Sequence, residues 1–314
     1  MKHIFLNLKR FDVPVCYGGV NRIAPPKDWG GYIVHVTQDA LKRYDPSEVE
    51  FVQYFPEAHL LSAVDARCEG SPVQVGCQGV YRMNTAVGGN FGAFTTNRPV
   101  SAMLACGVNS VIIGHCEERN DKMGILAEAG VVDTKAVNRI LNQDIRLAVE
   151  NGMKVLYCIG EKDTELDRWD QVLREQLEIG LDGVDKSQVV IGYEPIWSIG
   201  PGKTPAGKDY ITKIARFIKE VTGGIPVVYG GGLKVDNAEM LASILEIDGG
   251  IKKEVSVGCA VQKNICSICG AKQSRDNGSK LTATMKLNVT SIKLQKKQAT
   301  TKVKVTGLAN GDSV

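Results

Sequence analysis

Val189–Lys203 reads VVIGYEPIWSIGPGK. The opening VVIG is short, apolar and β-branched, the composition of a parallel strand buried on both faces. Pro195 stops that strand, and Gly200 and Gly202 make the following loop bendable. Glu194 therefore stands where a strand gives way to a loop that can close over it. A carboxylate at that point can serve as a general base beneath a lid. A surface Glu before an ordinary loop has the same local sequence.

Outward from this stretch, short apolar runs alternate with amphipathic ones. Strands are predicted at His3–Leu8, Glu50–Phe55, Pro72–Gln78, Ser110–Gly114, Lys154–Ile159, Gln188–Tyr193 and Ile225–Tyr229. Helices are predicted at Asp133–Asn151, Thr164–Leu181, Ala206–Thr222 and Val235–Leu245. This alternation predicts an α/β fold with a parallel sheet and helical crossovers. Seven βα units without a dinucleotide glycine pattern favour a closed (βα)8 barrel over an open sheet. An eighth strand is due near Ile247, in EIDGGI, but the KKEVSVG that follows opens with three charges and is a poor buried strand, and the eighth βα unit reads as degenerate or missing.

Composition breaks near residue 251. Residues 252–314 carry a net charge of +9, residues 1–251 carry −6, and the last aromatic is Tyr229. Three regions are expected: a barrel at 1–251, a cysteine-containing linker at 252–283, and a basic β-rich segment at 284–314. A basic tail can bind nucleic acid, but this one has no aromatic to stack a base. It reads as a solvated lysine face, with no nucleic-acid partner. The apolar stretch at the N-terminus contains charge, unlike a secretory signal, and no run approaches the roughly 20 residues of a membrane span. Nine unpatterned cysteines point to a reducing, cytoplasmic compartment.

Other residues can carry chemistry. Asn7 and Lys9 share one side of the first strand's end, where a lysine can hold an anion or simply be solvated. His115 follows the apolar SVIIG and precedes CEER, placed to polarise a carbonyl or shuttle a proton, with Glu117 two residues on. Gly200, Gly231 and Gly232 can turn backbone N–H groups toward a phosphate. Cys266 and Cys269, with Cys259, make at most a partial zinc knuckle, short of the four ligands a structural zinc needs.

N-x-K at Asn7–Lys9, IGHCEER, YEPIWSIGPGK and YGGGLK occur in one order, with GAFT at Gly92–Thr95, CIGEK at Cys158–Lys162 and YFPEAH after the second strand. Together they resemble the triosephosphate isomerase family over about residues 1–251. The resemblance implies a TIM barrel that interconverts glyceraldehyde 3-phosphate and dihydroxyacetone phosphate through an enediolate. It is expected to need no cofactor and to act as a homodimer. It gives Glu194 the proton abstraction, His115 the carbonyl, and Lys9 and Asn7 the developing charge. Glu117 would support that region, Pro195–Lys203 would be the lid, and Gly200, Gly231 and Gly232 would hold the phosphate. The chain departs from the family pattern at several points. H-S-E-R-R becomes His115-Cys116-Glu117-Glu118-Arg119, the last residue of Y-G-G-S becomes Gly232, Leu8 replaces a tryptophan, and Pro201 replaces a threonine. The third loop, Gly79–Phe91, is longer than usual, and the family's C-terminal end is not recognisable after Gly250. The last thirty or so residues resemble instead a truncated bacterial immunoglobulin-like surface repeat. These departures motivate two alternatives: an isomerase of a four-carbon sugar phosphate, and an impaired barrel serving as a binding scaffold.

Overall fold

The protein is described by a computed structural model covering residues 1–200, 203–232, 237–252, 263–265 and 272–274. Eight strands run β1 Lys2–Asn7, β2 Val49–Phe55, β3 Val73–Cys77, β4 Ser110–Ile113, β5 Lys154–Ile159, β6 Val189–Tyr193, β7 Val227–Tyr229 and β8 Gly249–Lys252. All pair in parallel and in sequence order, and β8 pairs back onto β1 to close a barrel. The helices are α1 Trp29–Leu41, α2 Leu60–Asp65, α3 Val100–Ala105, α4 Cys116–Glu128, α5 Thr134–Glu150, α6 Trp169–Gly180, α7 Lys208–Thr222 and α8 Ala238–Ala242. The seven strands predicted from apolar runs are present, with ends shifted by one or two residues.

The two-residue period of each strand sorts its side chains into two cores. Phe5, Val52, Tyr54, Ile112, Leu156, Cys158, Val190, Val228 and Ile251 fill the barrel's interior. Their strand neighbours, such as Leu6, Phe51, Val111, Tyr157 and Ile191, belong to a second cluster shared with the helices. The helices answer with a 3.6-residue period. In α5, Val137, Leu141, Ile145 and Ala148 are buried, and Asp133 caps the helix by accepting the Ala136 N–H at 2.9 Å.

The eighth strand, expected to be degenerate or missing, is present. Its register sets Gly249 beside His3 and Val228, and Ile251 beside Phe5. Close backbone approach makes it: a Cβ on Gly249 would lie 1.8 Å from the His3 carbonyl oxygen. Asp248 fastens both flanks. Its N–H donates to the Val227 carbonyl at 2.6 Å, and its carbonyl accepts the His3 N–H at 2.8 Å. Its carboxylate accepts the Val227 N–H at 2.9 Å and pairs with Lys219 at 2.8 Å. The first strand thus has no open edge. Beyond it, β9 Lys263–Ile265 and β10 Lys272–Ser274 form a two-stranded antiparallel pair. The strands expected over 284–306 and the thiols of Cys259, Cys266 and Cys269 lie outside the described residues.

Candidate active site

A parallel barrel sends the C-terminal ends of all its strands to one rim. Asn7 ends β1, Gln78 follows β3, His115 follows β4, Glu161 follows β5, Glu194 follows β6, and Gly230–Gly232 follow β7. Residues far apart in sequence thereby meet at one mouth.

Lys9 leaves β1 with φ of 44°, the left-handed region that a lysine enters at a cost of roughly 1–3 kcal/mol. Neighbouring groups hold it there. Asn7, buried, accepts the Lys9 N–H on Oδ1 at 3.1 Å. The Gln78 amide donates to the same Oδ1 at 3.3 Å and lies 3.2 Å from the Lys9 carbonyl. With its carbonyl side engaged, Asn7 keeps its NH2 donors for a ligand. Gln78 escaped the sequence reading. The available signal was a polar residue directly after an apolar strand.

His115 is the N-cap of α4, and its ring Nδ1 accepts the Glu117 N–H at 3.3 Å. An accepting Nδ1 needs its lone pair, which leaves Nε2 as the ring nitrogen able to donate. Nε2 lies 3.8 Å from Glu194 Oε1. Glu117 itself is exposed, and it meets the site through its backbone N–H.

Glu194 is only 1% exposed. Its Oε2 accepts the Cys116 N–H at 3.2 Å, the first amide of α4. Its backbone is wedged between strand ends, with its N–H donating to the Ile159 carbonyl at 2.7 Å. Gly160 has to be glycine because a Cβ there would strike the Glu194 carbonyl oxygen at 1.8 Å. Just past Glu194, the turn Ile196–Ser198 is tied down by Glu161. Glu161 Oε1 accepts the Trp197 indole N–H at 2.8 Å, the Tyr193 hydroxyl at 2.9 Å and the Tyr210 hydroxyl at 3.1 Å. Burial pushes the Glu161 pKa up, against these hydrogen bonds.

Among the glycines read as phosphate donors, Gly231 sits over the Tyr229 hydroxyl, which a Cβ would meet at 2.2 Å. Gly200 is in the left-handed region at φ 118° with open space around it. A Cβ on Gly232 would lie 3.7 Å from the Pro205 ring. All three follow β6 or β7 at the same rim as Glu194.

Glu118, the acid where the family pattern has arginine, has found two partners. Its Oε2 accepts the Gly114 N–H at 2.7 Å, fixing the peptide that leads into His115. Its Oε1 accepts from Lys122 at 2.9 Å. Arg119 clamps the same turn, donating to the Gly114 and Cys158 carbonyls and to the Tyr157 hydroxyl. The new acid burdens Asp144 on α5. Burial, and then the Glu118 charge, push the Asp144 pKa up to about 7. An acid with a raised folded pKa costs stability once it ionises. The cost is absent below about pH 4, where both states are protonated, and full above about pH 7. Asp144→Asn should therefore raise the unfolding free energy at pH 8 by about 1–3 kcal/mol and change it little at pH 4. Urea melts at the two pH values check this, and an equal gain at both would refute it.

A family model described as triosephosphate isomerase matches residues 32–270. A triosephosphate isomerase of Leptospira interrogans (serovar copenhageni) is 32% identical over 256 residues, spanning 76% of this chain and 91% of that protein. The chain belongs to the triosephosphate isomerase family. Another relative, the triosephosphate isomerase of Acaryochloris marina, is 30% identical over 234 residues and 90% of its length is covered. Membership in the triosephosphate isomerase family fits the rim just described, in which an imidazole and a buried carboxylate face each other. No helix among the described residues is long and apolar enough to cross a membrane.

Proposed function

We propose that this chain is an isomerase that interconverts glyceraldehyde 3-phosphate and dihydroxyacetone phosphate by proton transfer through an enediolate. The reading rests on one observation above all: His115 Nε2 lies 3.8 Å from the buried Glu194 carboxylate. Glu194 takes the proton from the carbon beside the carbonyl. The His115 Nε2–H donates to the carbonyl oxygen as negative charge develops there. The Asn7 amide and the Lys9 ammonium stabilise the same charge. Backbone N–H groups of Gly200, Gly231 and Gly232 take the phosphate, and Pro195–Lys203 closes to keep water from the enediolate. Base, electrophile and cation all come from side chains, so the step needs no added cofactor.

The direct test is a coupled assay of the purified full chain in both directions, with kcat/KM compared on three- and four-carbon sugar phosphates. Triose turnover at least tenfold better is expected, and a preference for the four-carbon substrate would replace the reading. The mimic phosphoglycolate separates an intact site from a scaffold. At 100 times its Kd it should stabilise the fold by about 2.7 kcal/mol, and a scaffold would show no shift.

Residues 1–251 are read as the catalytic unit, with 252–283 and 284–314 as appendages, in a cytoplasmic homodimer. Exposed Tyr17, Met83, Val87 and Phe91 on the first and third loops support a partner subunit. Sedimentation equilibrium should return twice the 34.0 kDa chain mass.

A further inference from the structure

The rim carries a donor set that the proposed isomerisation does not use as a set. The geometry points to a binding site for a borderline-soft divalent metal, Zn2+ or Co2+, built from His115 Nε2, Cys116 Sγ and a Glu194 carboxylate oxygen. These donor atoms all lie within 4.8 Å of one another. His115 Nε2 is 3.8 Å from Glu194 Oε1 and 4.0 Å from Cys116 Sγ. A tetrahedral zinc with bonds near 2.0–2.3 Å separates such donor pairs by roughly 3.4–3.6 Å. The two pairs that include His115 are a few tenths of an ångström wider than that; the Cys116 sulfur and the Glu194 oxygen lie within 4.8 Å, and rotation of Cys116 about its single side-chain bond brings the sulfur in. One thiolate, one imidazole and one carboxylate, with a fourth position open to the mouth, suit Zn2+ or Co2+ and not Mg2+ or Ca2+.

Cys116 makes this chain different. The family pattern has serine there, a poor ligand, while a thiol gives up its proton to solvent and binds as thiolate. The imidazole must bind through its Nε2 lone pair, so the ring proton moves to Nδ1 and the 3.3 Å hydrogen bond from Glu117 N–H is given up. The bound ion occupies both the base and the electrophile of the proposed reaction, so it competes with substrate. That consequence rests on the isomerase reading; the metal site itself does not.

The test uses the full chain with Cys259, Cys266 and Cys269 changed to serine, which removes the tail's own thiols. Titration with Co2+ should give a saturable thiolate-to-cobalt absorption band in the near ultraviolet at one equivalent. Cys116→Ser should abolish the band, and His115→Asn should weaken cobalt binding at least tenfold. Zn2+ should inhibit triose turnover, with the half-inhibiting concentration raised at least tenfold by Cys116→Ser, each variant compared with its own uninhibited rate. No band, or a band undiminished by Cys116→Ser, overturns the site. A Cys116-dependent band in a chain without isomerase activity keeps the metal site and rejects the isomerase reading.

Discussion

Glu194→Gln is expected to lower kcat at least about 10³-fold, some 4 kcal/mol in barrier, while the fold becomes no less stable. A carboxylate 1% exposed has lost nearly all its water, and the groups that meet it include the Cys116 N–H at 3.2 Å and the His115 ring at 3.8 Å. Taking a charge out of water costs several kcal/mol unless it is well paired. Glutamine has the same shape, keeps an oxygen for the Cys116 N–H, and carries no charge. A purely structural Glu194 would make this change cost stability and leave turnover alone. A base does the reverse, because an amide cannot accept the substrate's proton. Steady-state kinetics beside a urea melt separate the cases. Wild-type kcat in the variant, or a loss of stability that accounts for its lower activity, would remove Glu194 from the chemistry.

The parts of this protein that were legible in the sequence share one property: their signal is local. Strands β1 to β7 announce themselves by apolar, β-branched runs, and α5, α6 and α7 by their stripes. Asn7, Lys9, His115 and Glu194 each sit directly after such a run, so finding the strand finds the residue. Gln78 and Glu161 have meanings that depend on partners elsewhere. Gln78 reaches back 71 residues to Asn7. Glu161 gathers Tyr193, Trp197 and Tyr210 from as many as 49 residues away. No spacing rule shows such a set. Helix α4 has no buried residue and hence no stripe; its part is to present its first turn to His115 and Glu194. The loop that begins at Pro195 was readable, but the anchoring of its Trp197 on Glu161 was not.

The eighth strand was the hardest to read, and it supplies the largest expected effect on stability. Gly249 and Gly250 have no side chain to register as hydrophobic, and Lys252 and Lys253 argue for solvent. Backbone proximity specifies the strand instead, so one added carbon should undo it. On Gly249 a Cβ would lie 1.8 Å from the His3 oxygen, 2.7 Å from its carbonyl carbon and 2.9 Å from its nitrogen. All three are backbone atoms of a paired strand, with no rotamer that lets them yield. Gly249→Ala should therefore push β8 off β1, breaking the His3–Asp248 hydrogen bond and exposing the edge of β1. The expected loss is at least about 4 kcal/mol, at the far end of what single substitutions do. Activity should fall with it, because Asn7 and Lys9 are carried by β1. Gly207→Ala is the matched control: nothing lies within 4 Å of its added Cβ and its φ is −75°, so it should cost less than about 1 kcal/mol. Denaturant midpoints of the full chain decide. If Gly249→Ala unfolds within about 1 kcal/mol of the parent, β8 does not close the barrel through this contact, and the account of how eight strands form from seven legible ones is wrong.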